Sequence, residues 1–128
     1  MKNQSQPIYH LVPASYYQAQ PQNRPYQPET FAQEGFIHCT AGAEMLVQVA
    51  NNYFNNLSEA LLVLEIDPKE LTAPLKFEPP IPPAGQTESS STKHNILFPH
   101  IYGPLNREAI VSCFAMQRDE TGKWQMPM

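Results

Sequence analysis

The amino-acid sequence predicts an α+β domain in which a few helices pack on a mostly antiparallel sheet. One amphipathic helix pattern lies near the middle of the chain, whereas most other apolar segments have the length and alternation of strands. The segments after residue 60 are mainly strand-like and follow one another without long helices between them. At 128 residues, the chain is predicted to form a single domain over residues 1–128, with its core at about residues 7–118.

The first predicted elements are a short strand and one or two helical turns. Residues 8–12 alternate with the two-residue period of a strand, and we expect Pro13 to end it because proline has no N–H to donate to a neighbouring strand. Residues 28–35 are typical of helical turns, with Pro28 at the first helical position and Gly35 able to adopt the left-handed conformation that ends a helix.

A strand that carries polar side chains and the main helix follow. Residues 36–40, with the sequence FIHCT, have the alternation of a strand, and Thr40 is placed to cap the next helix. Over residues 42–54, apolar side chains recur at helical spacing, namely Leu46, Val49, Ala50 and Tyr53.

The second half of the chain reads as strands and loops. Residues 60–66 form a continuous apolar run of strand length, so we expect both faces of this strand to be covered. Residues 79–95 are rich in Pro, Ser and Thr, which predicts a flexible loop. The remaining strand-like segments are residues 74–78, residues 109–116 and, after a turn at residues 119–122, a short segment around Trp124.

Composition and charge disfavour several classes of function. The formal net charge is -4 and the eight Lys and Arg residues are scattered, so we expect no nucleic-acid partner. The chain has no apolar run of about twenty residues and no signal-peptide pattern, which predicts a cytoplasmic protein without a membrane span. Cys39 and Cys113 lie far apart, each within an apolar run, and are expected to be reduced and buried.

Three histidines are the strongest candidates for catalytic residues. His10 lies between apolar residues on the first strand, and His38 lies on the second strand with the Thr40 hydroxyl on the same face. His100 and Tyr102 alternate within the segment FPHIYGPLN, residues 98–106, where prolines and a glycine restrict the backbone. Each histidine has an alternative interpretation as a structural residue, because a buried imidazole needs hydrogen-bond partners for both nitrogens.

Further candidates for ligand binding are Thr40, Tyr102, Tyr26 and Glu78. Tyr26 belongs to a proline-rich surface segment, residues 21–28, of the kind that carries binding residues. Glu78 ends a predicted strand and is either a buried acid or an exposed carboxylate. The chain contains no G-x-S-x-G, H-E-x-x-H or glycine-rich phosphate-binding motif, and the spacing of the histidines does not predict a metal site.

Five segments together resemble a known family. IYHLVP, EGFIHCT, LLVLEID, LTAPLKFE and FPHIYGPLN occur in the order and at the spacing found in domain-of-unknown-function family 952, over about residues 7–118. Members of that family are small bacterial proteins whose activity is unproven. Some carry a glutathione transferase label, which nothing in this sequence supports.

The resemblance also implies a fold and a class of ligand. The family is similar to ADP-ribosyltransferases, which have a split antiparallel sheet and a cleft for NAD or an ADP-ribosyl group. His10 matches the first-strand histidine that holds the nicotinamide ribose in such enzymes, and Thr40 matches the hydroxyl residue further along. The glutamate of that pattern is absent from residues 98–106, and neither Glu78 nor Glu108 occupies an evident matching position.

Three hypotheses about function follow. The first is a cleft that binds a nucleotide-like or other phosphorylated ligand, with transferase or glycohydrolase-like activity on NAD or an ADP-ribosyl substrate. Its lining would comprise His10, His38, Thr40, His100 and Tyr102. The second is a non-enzymatic binding or interaction domain whose histidines stabilise the fold. The third is a metal-dependent hydrolase.

Overall fold

A computed structural model of the chain describes residues 6–79 and 97–127. The strands are β1 (Ile8–Pro13), β2 (Ile37–His38), β3 (Thr40–Ala41), β4 (Leu61–Ile66), β5 (Leu75–Glu78), β6 (Phe98–Ile101), β7 (Ile110–Ala115), β8 (Gln117–Arg118) and β9 (Trp124–Gln125). The helices are α1 (Ala14–Gln18), α2 (Phe31–Glu34) and α3 (Ala43–Tyr53), with single 3-10 turns at Pro68–Glu70 and Arg107–Ala109. Of the predicted loop at residues 79–95, only Pro79 belongs to the described residues.

The described strands form two main antiparallel sheets. Sheet one has the order β3-β1-β4-β7, sheet two has the order β2-β6-β5, and β8 pairs with β9 in a separate hairpin. The predicted α+β class with few helices and a split, mostly antiparallel sheet is therefore confirmed. None of the described helices has the length and apolar character needed to cross a membrane.

Strand β4 is covered on both faces, as its continuous apolar run predicts. Leu64 and Ile66 belong to one buried cluster, and Leu61 and Val63 belong to a second cluster on the opposite face, which α3 covers. All four side chains are 0% exposed. Full burial of an aliphatic side chain contributes about 1.5–3 kcal/mol, so the apolar sequence of β4 is explained by its central place in the fold.

Strand β1 runs beside β4 along its whole length, in register from Ile8 opposite Ile66 to Pro13 opposite Leu61. Pro13 is thus the last residue of the strand, and the chain enters α1 directly after it. Helix α1 was not predicted, because its five residues carry neither an acidic first turn nor a side-chain cap.

The segment FIHCT is not one strand, which corrects the prediction. β2 pairs with β6 in sheet two, with His38 opposite His100, whereas β3 pairs with β1 in sheet one, with Thr40 opposite Tyr9. Cys39 lies between them, and its backbone N–H donates to the carbonyl of Pro99 at 3.0 Å. This short segment therefore passes from one sheet to the other and brings side chains of both sheets together.

Three other predictions about local structure need correction. The helix cap before α3 is Gly42, at φ 92, without a side-chain hydrogen bond, because Thr40 is already paired in β3. Helix α2 begins at Phe31 rather than at Pro28, although Gly35 ends it in the left-handed conformation at φ 80, as predicted. Cys39 is buried as expected, but Cys113 is exposed; both are free thiols.

Gly103, just after β6, offers a test of how closely the backbone there packs against the residues just before β5. A Cβ at this position would lie 2.7 Å from the Cβ of Ala73, just before β5. We expect Gly103→Ala to lower the free energy of unfolding by about 1–3 kcal/mol, the usual cost of overpacking. Urea unfolding of Gly103→Ala should show this loss, and Gly103→Ala combined with Ala73→Gly should recover part of it. Equal stability of Gly103→Ala and the wild type would contradict this close approach.

Candidate functional site

His10 connects three parts of the fold through its two ring nitrogens. Nδ1 donates to the backbone carbonyl of His38 at 2.7 Å, and Nε2 accepts from the Tyr26 hydroxyl at 2.9 Å. A carbonyl only accepts, so the contact with His38 assigns the proton of neutral His10 to Nδ1. Burial lowers the pKa of His10 to about 4, so this side chain is neutral near pH 7.

Tyr26 is the buried partner of His10. Its ring is 0% exposed and lies 5.5 Å from the ring of Tyr17, and burial raises the pKa of its hydroxyl. The backbone of Tyr26 exchanges hydrogen bonds with Leu105 at 2.8 and 2.9 Å. These contacts hold the proline-rich segment against the core, so Tyr26 is a buried residue within a segment that was predicted to be superficial.

His38 is held by a carboxylate. Its Nε2 donates to Glu34 Oε1 at 3.0 Å, and the Thr30 hydroxyl donates to the same oxygen at 2.9 Å. The side chains of His38 and Glu34 are 24% and 11% exposed. Burial lowers the pKa of His38, and the nearby His100 adds to this, although Glu34 acts in the opposite direction. The carboxylate thus fixes the ring and places the proton on Nε2.

A second carboxylate holds His100. Glu78 Oε1 accepts from His100 Nδ1 at 2.7 Å and from the Tyr102 hydroxyl at 2.6 Å. The hydrogen bonds from Tyr102 and then from His100 lower the pKa of Glu78, and the same contact with Glu78 raises the pKa of Tyr102. His100 is 1% exposed and stacks on Phe36, with ring centroids 4.5 Å apart.

A cavity with a volume of about 300 Å³ lies where the two sheets meet. Four predicted site residues line it: His10, His38, Thr40 and Tyr26. The other residues of its lining include four that the sequence analysis did not consider for the site: Tyr16, Glu29, Thr30 and Phe54. Two residues of α3, Val49 and Tyr53, complete the wall on that side.

His100, Tyr102 and Glu78 do not line this cavity, although they were predicted to share a site with His10 and His38. They form a separate cluster on sheet two, in which the ring of His100 lies 5.5 Å from the ring of His38 in the cavity lining. The predicted residues therefore form two neighbouring groups.

Glu34 is the most informative residue that the sequence analysis missed. It lies four residues before His38, but Gly35 ends the helix between them, so the spacing does not indicate a shared helix face. The contact depends on the turn at Gly35, which directs the chain back past the last residue of α2. The signal available in the sequence was a carboxylate four residues before a histidine on a predicted strand.

Among the described residues, neither a metal site nor a reactive cysteine is indicated. Among residues 6–79 and 97–127, no group of three or more His, Cys, Asp or Glu side chains is arranged to hold a metal ion. Burial raises the pKa of Cys39, which keeps the thiol protonated and disfavours it as a nucleophile.

Fold and site together define a small α+β domain with a histidine-lined cavity where two antiparallel sheets meet. The chain belongs to the family described as "Protein of unknown function (DUF952)", whose model matches residues 11–113. The resemblance to family 952 is thus confirmed, while its further likeness to ADP-ribosyltransferases stays a prediction.

Solved structures of protein CC0527 from Caulobacter crescentus have a similar fold. The crystal structure gives a TM-score of 0.71 at 22% identity and covers 93% of this chain and 93% of that chain. The crystal structure of a double mutant of CC0527 gives a TM-score of 0.70 at 22% identity. The solution NMR structure of CC0527 gives a TM-score of 0.59 at 20% identity. At these identities the likeness shows the fold alone. No curated protein matches the chain.

The buried state of His10 predicts a pH dependence of stability. The pKa of His10 is about 4 in the folded protein, below the 6.5 of an ordinary histidine side chain, so at pH values between these two the unfolded chain binds more protons than the folded protein. The free energy of unfolding should therefore fall as the pH decreases through this window, by up to about 3 kcal/mol from His10. Protonation of His38, whose pKa is also lowered, acts in the same direction.

Urea unfolding between about pH 7 and pH 5 measures this effect, with His10→Gln as the comparison. His10→Gln removes a titrating group, so its stability should depend less on pH than that of the wild type, even though the variant is less stable overall. Parallel pH profiles of the two proteins would contradict a neutral, buried His10.

Proposed function

We propose that the cavity binds a nucleoside-like group, a flat ring joined to a hydroxyl-bearing sugar, and that the protein acts on NAD or an ADP-ribosyl substrate. The observation that carries this proposal is the lining of the cavity. The aromatic residues Tyr16, Tyr26 and Phe54 line the cavity together with Thr30, Thr40 and the carboxylate-held His38. Ligand pockets generally combine apolar and aromatic walls with a few such polar groups.

The volume of the cavity limits what it encloses. Pockets for small molecules span about 300–1,000 Å³, and this cavity of about 300 Å³ is at the lower end of that range. It suits one ring and its sugar rather than a whole dinucleotide. The remainder of an NAD-type ligand would therefore lie outside the enclosed volume, along the mouth of the cavity.

His38 is the residue proposed to take the proton of the water or acceptor hydroxyl whose oxygen bonds to the ribose carbon as the bond from that carbon to nicotinamide breaks. Glu34 accepts the hydrogen of Nε2, so the neutral ring carries its lone pair on Nδ1, which is the nitrogen that accepts a proton. Its lowered pKa keeps the ring neutral near pH 7, the form needed by a general base. A carboxylate that orients a histidine in this way is a recurring arrangement in acid–base catalysis.

His10 is proposed as a positioning residue instead of a catalyst. Both of its nitrogens are occupied within the protein, and a pKa of about 4 makes it a weak base. The carboxylate that a developing ribosyl cation requires is proposed to be Glu29, the acidic residue in the cavity lining. A negative charge placed there stabilises a positive transition state.

The second candidate function, a non-enzymatic binding or interaction domain, is favoured by the environment of His10. Its hydrogen bonds to the carbonyl of His38 and to Tyr26 account for its presence without any ligand. The two candidates differ in the role of His38, because a structural histidine contributes to stability whereas a proton-exchanging one contributes to ligand chemistry.

Thermal-shift measurements with NAD, ADP-ribose and nicotinamide riboside test the proposal. A ligand at a hundred times its Kd should stabilise the native protein by about 2.7 kcal/mol, which is readily visible as a higher Tm. His38→Ala should abolish this response and should lower the Tm of the free protein by less than His10→Ala does, because the His38 side chain is 24% exposed whereas His10 is 5% exposed. His10→Ala should lower the Tm of the free protein, because it leaves a buried hydroxyl unpaired, at a cost of about 1–3 kcal/mol.

Gln33→Ala serves as the matched control, since Gln33 lies exposed on α2 next to Glu34. It should leave both the Tm and the ligand response unchanged. The absence of a response to all three ligands, together with equal losses of stability in His38→Ala and His10→Ala, would favour the interaction domain. A ligand response followed by release of nicotinamide from NAD would establish the reaction.

A further inference from the structure

The C-terminal hairpin, which comprises β8, β9 and the turn at residues 119–122, is organised by one carboxylate. Asp119 Oδ1 accepts from the backbone N–H of Thr121 at 2.8 Å, from the Thr121 hydroxyl at 2.6 Å and from the backbone N–H of Lys123 at 3.0 Å. These bonds make the hairpin a unit with its own internal contacts. It lies after residues 11–113, the part of the chain that the family model matches.

Two side chains join this hairpin to the end of α3. Trp124 Nε1 donates to the carbonyl of Phe54 at 2.8 Å. Arg118 donates to the carbonyls of Asn55 at 3.2 Å and Leu57 at 2.5 Å. The guanidinium of Arg118 also lies over the ring of Trp124, 3.8 Å from its centre. Because the last turn of α3 has no basic residue of its own, the hairpin supplies the side-chain donors at this helix end.

Asn51, in the last turn of α3, pairs with the backbone of Trp124. The N–H of Trp124 donates to Asn51 Oδ1 at 2.9 Å, and Asn51 Nδ2 donates to the carbonyl of Trp124 at 3.1 Å. Trp124 is 4% exposed and belongs to the same buried cluster as Leu46 and Ala50 of α3. Separation of the hairpin from α3 would therefore expose a large aromatic ring and break several hydrogen bonds at once.

The same helix end forms a wall of the cavity. Val49, Tyr53 and Phe54 belong to the described lining, to which the hairpin contributes no residue. Val49 and Phe54 also pack against the buried cluster that contains Trp124. The end of α3 thus contacts the hairpin and the cavity together, so a shift of this helix end changes both.

We infer that Trp124 and Arg118 are positioning residues for the cavity, because they hold the end of α3 and thereby fix the wall that Val49, Tyr53 and Phe54 form. Docking of the hairpin and occupancy of the cavity then stabilise each other, since both favour the same position of the helix end. The coupling to a ligand rests on the proposed function. The positioning of the wall rests on the contacts of the free protein.

NMR spectroscopy of the free protein tests the position of the wall. Trp124→Phe removes the indole N–H and keeps an aromatic ring, whereas Arg118→Gln replaces an exposed side chain and leaves Trp124 in place. The backbone N–H of Phe54 donates to the carbonyl of Ala50, and in both variants we expect it to exchange with solvent roughly 2- to 10-fold faster. The methyl signals of Val49 should shift in both variants.

Calorimetric titration with NAD, ADP-ribose and nicotinamide riboside tests the coupling. Trp124→Phe and Arg118→Gln should raise the Kd of a bound ligand by roughly the factor by which they speed exchange at Phe54, although neither Trp124 nor Arg118 lines the cavity. Conversely, saturating ligand should slow exchange of the Trp124 indole N–H. That signal is unambiguous because the chain has one tryptophan.

Gly103→Ala is the matched control for a loss of stability. It is expected to destabilise the fold through contact with Ala73, and neither Gly103 nor Ala73 lines the cavity. At a temperature where the variant is fully folded, the methyl signals of Val49 and the Kd of a bound ligand should equal those of the wild type.

The outcomes separate this inference from the proposed function. Unchanged Val49 signals and unchanged Phe54 exchange in both hairpin variants would overturn the positioning role, whichever ligand binds. Faster exchange at Phe54 with an unchanged Kd would overturn the coupling and leave the proposed function standing. If none of the three ligands binds the wild type, the proposed function fails, and the measurements on the free protein still decide whether the hairpin positions the wall.

Discussion

The hydrogen bond from His10 Nδ1 to the carbonyl of His38 joins the two main sheets, and the cavity depends on it. His10 belongs to β1 in sheet one, whereas His38 belongs to β2 in sheet two. The bond is formed in the interior, where a polar group without a partner is costly. Because Nε2 is occupied by the hydroxyl of Tyr26, the same ring also fixes the segment that forms another wall of the cavity. One imidazole thus sets the relative position of three walls.

This arrangement separates the roles of two histidines that look equivalent in the sequence. A residue whose two nitrogens maintain the architecture has none left for a ligand, and its low pKa follows from the same burial. His38 differs because its ring is partly exposed and one carboxylate holds it from the α2 side. The stability of the site and its proposed chemistry are therefore assigned to different residues.

The sequence is informative where a periodic pattern extends over many residues. The apolar run of β4 and the helical spacing of α3 predict their elements well. A strand buried on both faces has a continuous run of apolar residues, and a helix buried on one face has apolar residues at helical spacing. FIHCT has the same alternation whether it forms one strand or two. Its division between sheets is decided by partners that are distant in sequence, namely β6 and β1, which a local pattern does not contain.

The same reasoning explains which site residues were predictable. His10, His38 and Thr40 are polar residues within apolar strands, and such residues attract attention because their placement needs a reason. Glu34 resembles an ordinary exposed acid at the end of a short helix, and only the turn at Gly35 reveals its contact with His38. A local pattern finds a polar residue in an apolar setting more easily than its polar partner.

The cluster on sheet two has a further consequence for His38. Phe36 contacts the rings of both His38 and His100, with centroids 4.8 and 4.5 Å apart, and the two imidazoles meet nearly edge to face. Glu78 accepts a hydrogen bond from His100, as Glu34 does from His38. The ring of His38 is thereby restrained by a carboxylate on one side and by packed rings on the other. Because the ring of His38 is already restrained, it loses less conformational entropy when a ligand binds. His100 and Glu78 therefore contribute to the site although they lie outside the cavity.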